Sequence, residues 1–246
     1  MKKRWKKYVA IITTAVLVTG CSGSLSNQTN TTTDTSTEST NIVDKTSNST
    51  TASQLKSVST SSEILIDTEF TARDLEVGYE ETTATKVTMS GSKIEIDGKG
   101  ASAEENVLTI SDEGVYVITG TLAEGQIKVN AEDTDKIQIV LNGVDITCSD
   151  NAPIYIINAD KVFITLKEGT ENTLTDGTEY IQSDDNTVDG VIFSKADLTL
   201  NGSGTLTING NYKHGILSKD DIVITGGTYN ITAVKDAING KDSVKI

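Results

Sequence analysis

Acidic residues recur at matching positions along the second half of the sequence. When the repeats of this region are aligned, Asp189, His214 and Asp236 fall in one column, and Asp184 and Asp185 lie in an adjoining insertion. Calcium takes roughly six to eight oxygen ligands, and carboxylates about 5 Å apart on stacked strands could share one ion with turn carbonyls and water. The four aspartates are therefore predicted calcium ligands. The alternative is that they accept hydrogen bonds from backbone N–H groups in turns.

A second acidic column lies just before each new repeat and has lysines beside it. Its members are Asp160, Asp220 and Asp242. Because the lysines can neutralise these acids, capping of turn N–H groups is favoured over metal binding at this column.

Tyrosines near the ends of the third strands suggest a second kind of chemistry. Exposed aromatic rings offer large flat faces on which a sugar ring can stack. Tyr155, Tyr180 and Tyr212 are the candidates, and His214 completes this predicted carbohydrate-binding set. Each ring could instead be half-buried at a corner of its repeat. Aromatic residues make up only 4% of the chain, which favours a binder that depends on hydrogen bonds and metal bridges.

Catalysis is the competing class of function. Hydrolysis of a glycosidic bond needs two carboxylates facing one sugar bond, and acids are so frequent here that finding a pair is uninformative. β-Elimination from a uronate needs a base near a metal. Beyond the N-terminal leader the sequence has one arginine, Arg73, with Lys213 and Lys219 as alternatives, and no local motif marks any of them as a base.

A repeated strand pattern holds these residues. Apolar runs begin at Ile137, Val162, Leu198, Ile222 and Val244, at intervals of 25, 36, 24 and 22 residues, and the longest interval contains the insertion TEYIQSDDNTVDG. Each full unit has three short strands, and no segment shows a helical period. A period in the low twenties with three strands per unit predicts a parallel β-helix. A β-sandwich is the competing fold, but it does not explain the recurring SKAD, SKDD and GKDS before each new unit.

The N-terminal residues indicate export. Residues 1–20 combine five basic residues with a short apolar run, which is typical of a signal peptide. The residues Val-Thr-Gly before Cys21 resemble the lipobox of bacterial lipoproteins, in which the cysteine is lipidated and becomes the first mature residue. This predicts a protein anchored by lipid to the outer face of the membrane in a Gram-positive type of cell.

The remaining chain divides by composition into three further segments. The first is rich in Ser, Thr and Asn and predicts a disordered stalk, because it has too little apolar surface to offset its ordering entropy. The second has short alternating strands, which suggest antiparallel hairpins or an entry cap, and the third has the repeats. No capping sequence follows the last repeat, so a truncated fragment is expected. The predicted segments are 21–62, 63–135 and 136–246.

The net charge limits which classes of partner the chain can bind, and the cysteine content excludes a disulfide framework. Five of the 21 basic residues and none of the 35 acidic ones lie in the leader, so the remainder carries a net charge of −19. Such a chain repels nucleic acid and anionic membrane surfaces, which leaves the lipid as the predicted membrane contact. Cys148 is the one cysteine besides Cys21, so no disulfide framework exists, and it is predicted to be a small buried core residue.

Several stretches together resemble the bacterial β-helix carbohydrate-binding domain family of Gram-positive surface lipoproteins. They are FTARDLEVGYEE, LNGVDITCSDNAPIYI, ADKVFITL, TLTDG and DLTLNGSGTLTINGNY. The resemblance runs from about Phe70 to the end, and it implies an all-β, right-handed parallel β-helix of the pectate-lyase type. It also implies calcium and binding of plant polysaccharides such as cellulose and pectic acid. His214 stands where that family has an acid, which departs from the implied calcium site.

The predicted function is therefore non-catalytic binding of polysaccharide at the cell surface, with calcium. A polysaccharide lyase or glycoside hydrolase on the same fold is one alternative. A structural adhesin or spacer is the other.

The predicted anchor gives a direct test. Replacing Cys21 with Ala removes the acceptor of the lipid, so we expect the Cys21→Ala protein to appear in the culture medium. The distribution between washed cells and medium, measured by immunoblot, checks this. Retention of the variant on the cells would contradict the lipoprotein interpretation.

Overall fold

The computed structural model describes residues 8–13 and 69–246, which form strands and one short helix, α1 (Ala72–Leu75). Within these ranges no helix has the length needed to cross a membrane. Cys21 and the predicted stalk at 21–62 lie outside the described residues.

The strands are β1 (Tyr8–Thr13), β2 (Thr85–Gly91), β3 (Lys93–Asp97), β4 (Ala101–Glu104), β5 (Val107–Ile110), β6 (Gly114–Leu122), β7 (Gln126–Asn130), β8 (Lys136–Cys148), β9 (Ile154–Asn158), β10 (Lys161–Leu166), β11 (Glu171–Asp176), β12 (Gly190–Ser194), β13 (Asp197–Gly202), β14 (Thr205–Asn209), β15 (His214–Ser218), β16 (Ile222–Ile224), β17 (Thr228–Ala233), β18 (Ile238–Gly240) and β19 (Val244–Lys245).

Equivalent strands of successive repeats pair in parallel. Ile137 lies opposite Val162, which lies opposite Leu198. Leu198 lies opposite Ile222, which in turn lies opposite Val244. The register that the apolar runs predict is therefore confirmed, and the insertion predicted within the longest interval is the loop between β11 and β12.

The parallel pairs form three stacks of strands. The first stack contains β2, β6, β8, β10, β13, β16 and β19, the second contains β8, β11, β14 and β17, and the third contains β5, β7, β9, β12, β15 and β18. The long strand β8 joins the first stack to the second. The first and second stacks therefore belong to one 12-stranded sheet, and the third stack lies in a separate seven-stranded sheet.

Parallel stacking begins earlier than the sequence predicts. Within the predicted entry region, β2 pairs in parallel with β6 and β5 with β7, and β6 pairs in parallel with β8, the first strand after that region. Antiparallel pairing there is limited to the hairpins β2–β3 and β4–β5. The boundary expected at residue 135 is thus not a change of architecture. An alternating pattern of apolar residues in short strands does not show whether neighbouring strands run parallel or antiparallel. The sequence therefore could not show where parallel stacking begins.

One further pair lies outside this region: β1 pairs antiparallel with β17.

Alternate side chains of every stack point inward and form the core. The column Ile139, Ile164, Leu200 and Ile224 in the first stack is almost completely buried, and so are Leu174, Ile208 and Ile231 in the second. Since strands in adjacent repeats lie about 4.8 Å apart, like side chains stack directly on one another. The excess of Ile, Val and Leu over aromatic residues follows from this geometry, because branched aliphatic chains repeat well at that spacing.

Glycines occupy two corners between first and second strands where no other residue fits. Gly120 and Gly202 both have φ of +96°, in the left-handed region. A Cβ at Gly120 would lie 2.1 Å from the carbonyl oxygen of Met89, and one at Gly202 would lie 2.2 Å from that of Leu166. At the Asn201-Gly202 pair the glycine is therefore required by backbone contact between repeats as well as by the bend, whereas at Asn142-Gly143 the positive φ of +73° alone favours glycine.

Asn172 is a polar residue inside the core that connects three repeats. Its Oδ1 accepts hydrogen bonds of 3.0 Å from the backbone N–H groups of Gly143 and Val144, and its Nδ2 donates to the carbonyl of Thr205 at 3.1 Å. The side chain is 1% exposed. Asn172 thus provides hydrogen-bond partners for backbone groups at corners, where the strands of the two sheets do not pair with them.

Removing this amide tests its contribution. In Asn172→Ala two N–H groups and one carbonyl lose their partner, so we expect the free energy of unfolding to fall by roughly 2–4 kcal/mol. Chemical denaturation followed by circular dichroism measures the change. Asn230→Ala, on the exposed face of β17, is the matched control and should change stability by less than about 0.5 kcal/mol. Equal effects of the two substitutions would contradict the role of Asn172.

Candidate functional site

The insertion at residues 177–189 covers the outer face of the third stack. Under it, the rings of Tyr155 and Phe193 pack edge to face, with centroids 5.6 Å apart, and Val188 of the insertion packs against them. Tyr155 has no exposed surface. Its ring is therefore not available to stack on a sugar in this structure, which corrects the sequence prediction for this residue.

The insertion is closed by hydrogen bonds around the Tyr155 hydroxyl. The hydroxyl donates to Asp184 Oδ2 at 2.7 Å and accepts from Asn186 Nδ2 at 2.7 Å. Burial opposes the charge of Asp184, but these bonds and the N–H of Asn186 outweigh it and lower the pKa of Asp184. Asp184 thus holds the loop in place, and its neighbour Asp185 is exposed.

Tyr180 and Tyr212 form a stacked pair at the corner next to this loop. Their ring centroids are 4.5 Å apart with an angle of 21° between the planes, and both residues are half-buried. The Lys213 ammonium lies 4.8 Å from the centroid of the Tyr212 ring. The structure therefore brings two of the three predicted tyrosines together as one aromatic platform with a cation beside it.

Asp176 at the end of β11 positions the pair. It is 3% exposed and accepts hydrogen bonds from the Tyr180 hydroxyl at 2.7 Å and from the backbone N–H groups of Asn211 and Tyr212. Burial raises the pKa of Asp176 although these bonds oppose the shift. Burial, followed by the charge of Asp176, raises the pKa of Tyr180. Tyr180 remains a neutral donor, so the orientation of its ring is fixed by the carboxylate of Asp176, which was not among the residues predicted from the sequence.

His214 lies between Asp189 of the preceding repeat and Asp236 of the next, but it does not contact solvent freely. Its side chain is 9% exposed, and its Nδ1 lies 3.2 Å from Asp236 Oδ2 without the alignment of a hydrogen bond. Burial lowers the pKa of His214, although the two aspartates favour its charged form. A buried imidazole offers little to a sugar, which corrects the prediction that His214 contacts carbohydrate.

The four aspartates predicted to bind calcium do not converge. Register places His214 opposite Gly190, so Asp189 lies one residue out of the predicted column, and its Oδ2 is 3.5 Å from the Lys213 ammonium. Asp236 accepts from Asn239 Nδ2 at 2.8 Å. Asp184 is hydrogen-bonded to Tyr155, and Asp189 is paired with Lys213. The predicted ligands therefore do not form the shared set of oxygens that calcium requires; they are Asp184, Asp185, Asp189 and Asp236.

A different group of three carboxylates does converge. Oxygens of Asp197, the first residue of β13, and of Asp220 and Asp221, which precede β16, lie within 4.8 Å of one another, and all three residues are partly buried. Burial and the charge of Asp220 raise the pKa of Asp197. Clustered oxygens with excess negative charge fit a hard divalent cation. Asp220 belongs to the column for which the sequence favoured turn capping, and no sequence signal separated it from the other members.

Cys148 is buried, as predicted, and belongs to a second convergent group with Glu124 and Asp150. These residues line a cleft of about 340 Å³. Burial, followed by the charge of Asp150, raises the pKa of the Cys148 thiol to about 12. A thiol with so high a pKa is a poor nucleophile at neutral pH.

The segment before β2 covers the outer face of the first stack. We call Thr71–Glu76 the strap. Its Asp74 is 2% exposed, and the Asp74 carboxylate lies 2.8 Å from the Lys161 ammonium and accepts from the Thr199 hydroxyl at 2.6 Å. The carbonyl of Asp74 accepts hydrogen bonds from Asn201 Nδ2 at 3.2 Å and from the Thr225 hydroxyl at 2.8 Å.

Arg73, which precedes Asp74 in the sequence, makes a second set of contacts between the strap and the first stack. Its guanidinium carbon lies 4.2 Å from the centroid of the Phe163 ring, and its NH2 group donates to Gln138 Oε1 at 2.9 Å. The guanidinium of this candidate base is therefore engaged. The strap was not predicted from the sequence, although its Thr-x-x-Asp pattern indicates the start of a helix: Thr71 and Asp74 form a capping box at the start of α1.

Comparison with known proteins places the chain in a family. The model of the family described as carbohydrate-binding domain-containing protein matches residues 104–246. The chain belongs to this family. A carbohydrate-binding domain-containing protein of Acetivibrio thermocellus is 38% identical over 151 residues, which are 60% of this chain and 53% of that protein. The chain thus spans about half the length of the curated relative that it matches.

A solved structure shares the fold of the matched region. It is that of the polysaccharide lyase-like protein from C. thermocellum, a gadolinium derivative, with 38% sequence identity and a TM-score of 0.58. The match covers 59% of this chain and 60% of that one. The carbohydrate-binding family predicted from the sequence and a β-rich fold like that of a lyase-like protein are both confirmed at this level.

The ion pair beneath the strap predicts acid sensitivity. Burial alone would raise the pKa of Asp74, but bonds from Lys161, Thr199 and Thr71 lower it to about 2. Because this value is below the unfolded value of about 3.9, the carboxylate stabilises the protein above about pH 4. This contribution, about 2 kcal/mol, is lost as the pH falls from about 4 to about 2.

Substitution isolates the effect. Asp74→Asn should lower the free energy of unfolding at pH 7, and the difference from the wild type should shrink as the pH falls toward 2. Urea denaturation at a series of pH values measures it, with Glu76→Gln in the exposed part of the strap as the control. A difference that does not depend on pH would show that the carboxylate charge is not what holds Asp74.

Proposed function

We propose that this protein is a cell-surface lipoprotein that binds polysaccharide without cleaving it. The domain that does so is proposed to be a right-handed parallel β-helix. The parallel register between repeats supports the helix, and the family match supports carbohydrate as the ligand. The lipid anchor at Cys21 and the location outside the cell rest on the leader sequence alone.

The stacked tyrosines carry the proposal for the binding site. Tyr180 and Tyr212 present a half-buried aromatic platform whose orientation Asp176 fixes, and Lys213 lies beside it. A pyranose ring presents C–H groups that pack on such a face, while its hydroxyls bond to polar groups at the edge. Because the Lys213 ammonium can also pair with a carboxylate, uronate polymers such as pectic acid are proposed ligands beside neutral glucans such as cellulose.

Calcium is part of the proposal at a changed position. Asp197, Asp220 and Asp221 are the residues proposed to hold the ion, in place of the aspartates predicted from the sequence. When bound, calcium would supply positive charge to a strongly acidic chain. Asp220 and Asp221 are consecutive in one repeat, and their carboxylates lie close to that of Asp197 in the preceding repeat.

Lyase or hydrolase activity is the second candidate, favoured by the likeness to a solved protein described as polysaccharide lyase-like. Incubation with polygalacturonate and with cellulose separates the candidates. A binder retards in affinity gels that contain the polymer and releases no product. A lyase releases unsaturated oligosaccharides, and a hydrolase releases reducing ends. A spacer or adhesin of another kind does none of these.

The aromatic platform gives the central prediction. Tyr212→Ala removes one face of the stack, so we expect its affinity for the bound polysaccharide to fall about tenfold, which corresponds to about 1.4 kcal/mol. Tyr212→Phe keeps the ring and should retain most of the affinity. Affinity electrophoresis measures both, and Tyr79→Ala in the segment after the strap is the control. Unchanged retardation of Tyr212→Ala would place the site elsewhere.

Calcium binding is tested by thermal stability. If the ion binds Asp197, Asp220 and Asp221, calcium should raise the melting temperature of the wild-type protein and chelator should reverse this. Asp220→Asn should abolish most of the rise. Asp242→Asn is the matched control, because Asp242 occupies the equivalent position one repeat later and pairs with Lys241. An equal calcium response in both variants would contradict this site.

A further inference from the structure

The strap is held to the first stack by contacts of the kind that hold a ligand. Its apolar side chains contribute little, since Leu75 is 57% exposed and the following Val77 is 46% exposed. The contacts are instead a carboxylate, two backbone carbonyls and a guanidinium. An element that completes a core buries its apolar side chains, and this segment leaves them in solvent.

The surface beneath the strap contains a receptor for a carboxylate. Lys161 and Thr199 hold the Asp74 carboxylate at 2.8 Å and 2.6 Å, and their own side chains are 15% and 0% exposed. Breaking this ion pair is costly, but replacing both partners of a buried pair by apolar groups of similar volume is often neutral, because desolvation of both charges offsets their attraction. Stability alone therefore does not require a pair at this position. Its value here is recognition, since an ammonium and a hydroxyl converge on one carboxylate with defined geometry.

Amides and hydroxyls extend from this receptor along the same face. Gln138 Nε2 donates to the Thr165 hydroxyl at 3.0 Å, and that hydroxyl donates to Asn201 Oδ1 at 2.7 Å. These three residues belong to three successive repeats. A row of such groups, spaced by the stacking of strands, matches an extended chain that carries hydroxyls at regular intervals.

An aromatic ring lies beside the row. Phe163 is 1% exposed because Arg73 covers its face. Movement of the strap would uncover this ring, the carboxylate receptor and the row of amides and hydroxyls together. A flat ring beside an ammonium and several amides is suited to a sugar ring that bears a carboxylate.

We propose that the outer face of the first stack is a second polysaccharide-binding face, for chains that carry carboxylates, and that the strap is its built-in competitor. The inference rests on the proposed function, because it assumes that the protein binds polysaccharide. In the structure the strap occupies the face, with Asp74 in place of a uronate carboxylate and Arg73 in place of a sugar ring on Phe163. A uronate polymer binds there when it displaces the strap.

Weakening the strap in the full chain tests the proposal. Asp74→Asn removes the carboxylate and leaves the rest of the strap in place. We expect its affinity for polygalacturonate to rise about tenfold over the wild type, with no change for a neutral glucan such as hydroxyethyl cellulose. Arg73→Ala, which removes the guanidinium that covers the Phe163 ring, should give a smaller rise. The double variant Asp74→Asn/Lys161→Ala should lose the gain, because the receptor is gone.

A peptide supplies a readout that does not depend on polysaccharide. A labelled peptide with the sequence of residues 69–78 should bind the Asp74→Asn protein, measured by fluorescence anisotropy. The same peptide with Asn in place of its aspartate should bind at least about tenfold more weakly. Circular dichroism confirms that each protein variant is folded.

The outcomes separate the two proposals. If Asp74→Asn is folded but gains no affinity for polygalacturonate and binds no peptide, the strap is a structural clasp and the inference is overturned. If binding that depends on Tyr212 persists in that case, the proposed function stands without it. If Asp74→Asn gains uronate binding while Tyr212→Ala loses none, the second face is supported and the site proposed at the tyrosine pair fails.

Discussion

Backbone hydrogen bonds between equivalent strands of neighbouring repeats determine where every other group in this domain lies. Once Val162 is opposite Ile137 and Leu198 is opposite Val162, each side chain of a repeat is fixed relative to the side chains above and below it. A slip of one residue would turn the inward aliphatic columns outward. The same register brings Asp197, Asp220 and Asp221 together and spaces Gln138, Thr165 and Asn201 along the outer face.

Both outward faces that carry aromatic residues are covered by segments outside the repeats. Arg73 of the strap lies over Phe163 on the first stack, and the insertion at 177–189 closes over Tyr155 and Phe193 on the third. The two covers differ in chemistry. The insertion adds Val188 to an apolar cluster as well as the carboxylate of Asp184, whereas the strap contributes only polar groups and leaves Leu75 in solvent. The insertion is therefore part of the core, whereas we propose that the strap occupies a binding face.

The sequence predicted the repeat register because the signal is local and repeated. Apolar runs at Ile137, Val162 and Leu198 are visible in the printed sequence, and strand pairing must align them. The site was harder to predict for two reasons. Tyr155 lies in a strand that is apolar on both faces, so its direction and its burial under the insertion depend on tertiary packing. Asp74 contacts Thr199 across 125 residues of sequence, and nothing near either residue marks the other.

The acids show the same limit. Alignment of repeats placed Asp189 and Asp236 in one column, but a shift of one residue and the ammonium of Lys213 separate them as ligands. In the sequence Asp220 and Asp221 do not differ from the many other acidic residues. Only the strand register shows that Asp197 lies close to them. Columns of like residues are therefore predictable from the sequence, whereas the identity of the members that converge depends on side-chain partners.

Asn172 has a consequence for how the domain unfolds. Arrays of repeats that touch only their neighbours can lose structure gradually from one end, since each interface melts almost independently. The amide of Asn172 bonds to backbone groups of the repeat before it and of the repeat after it. Three repeats thereby share one set of hydrogen bonds that must break together, which couples their melting. The middle of the array is expected to behave as a single cooperative unit, flanked by repeats that fray at lower free energy.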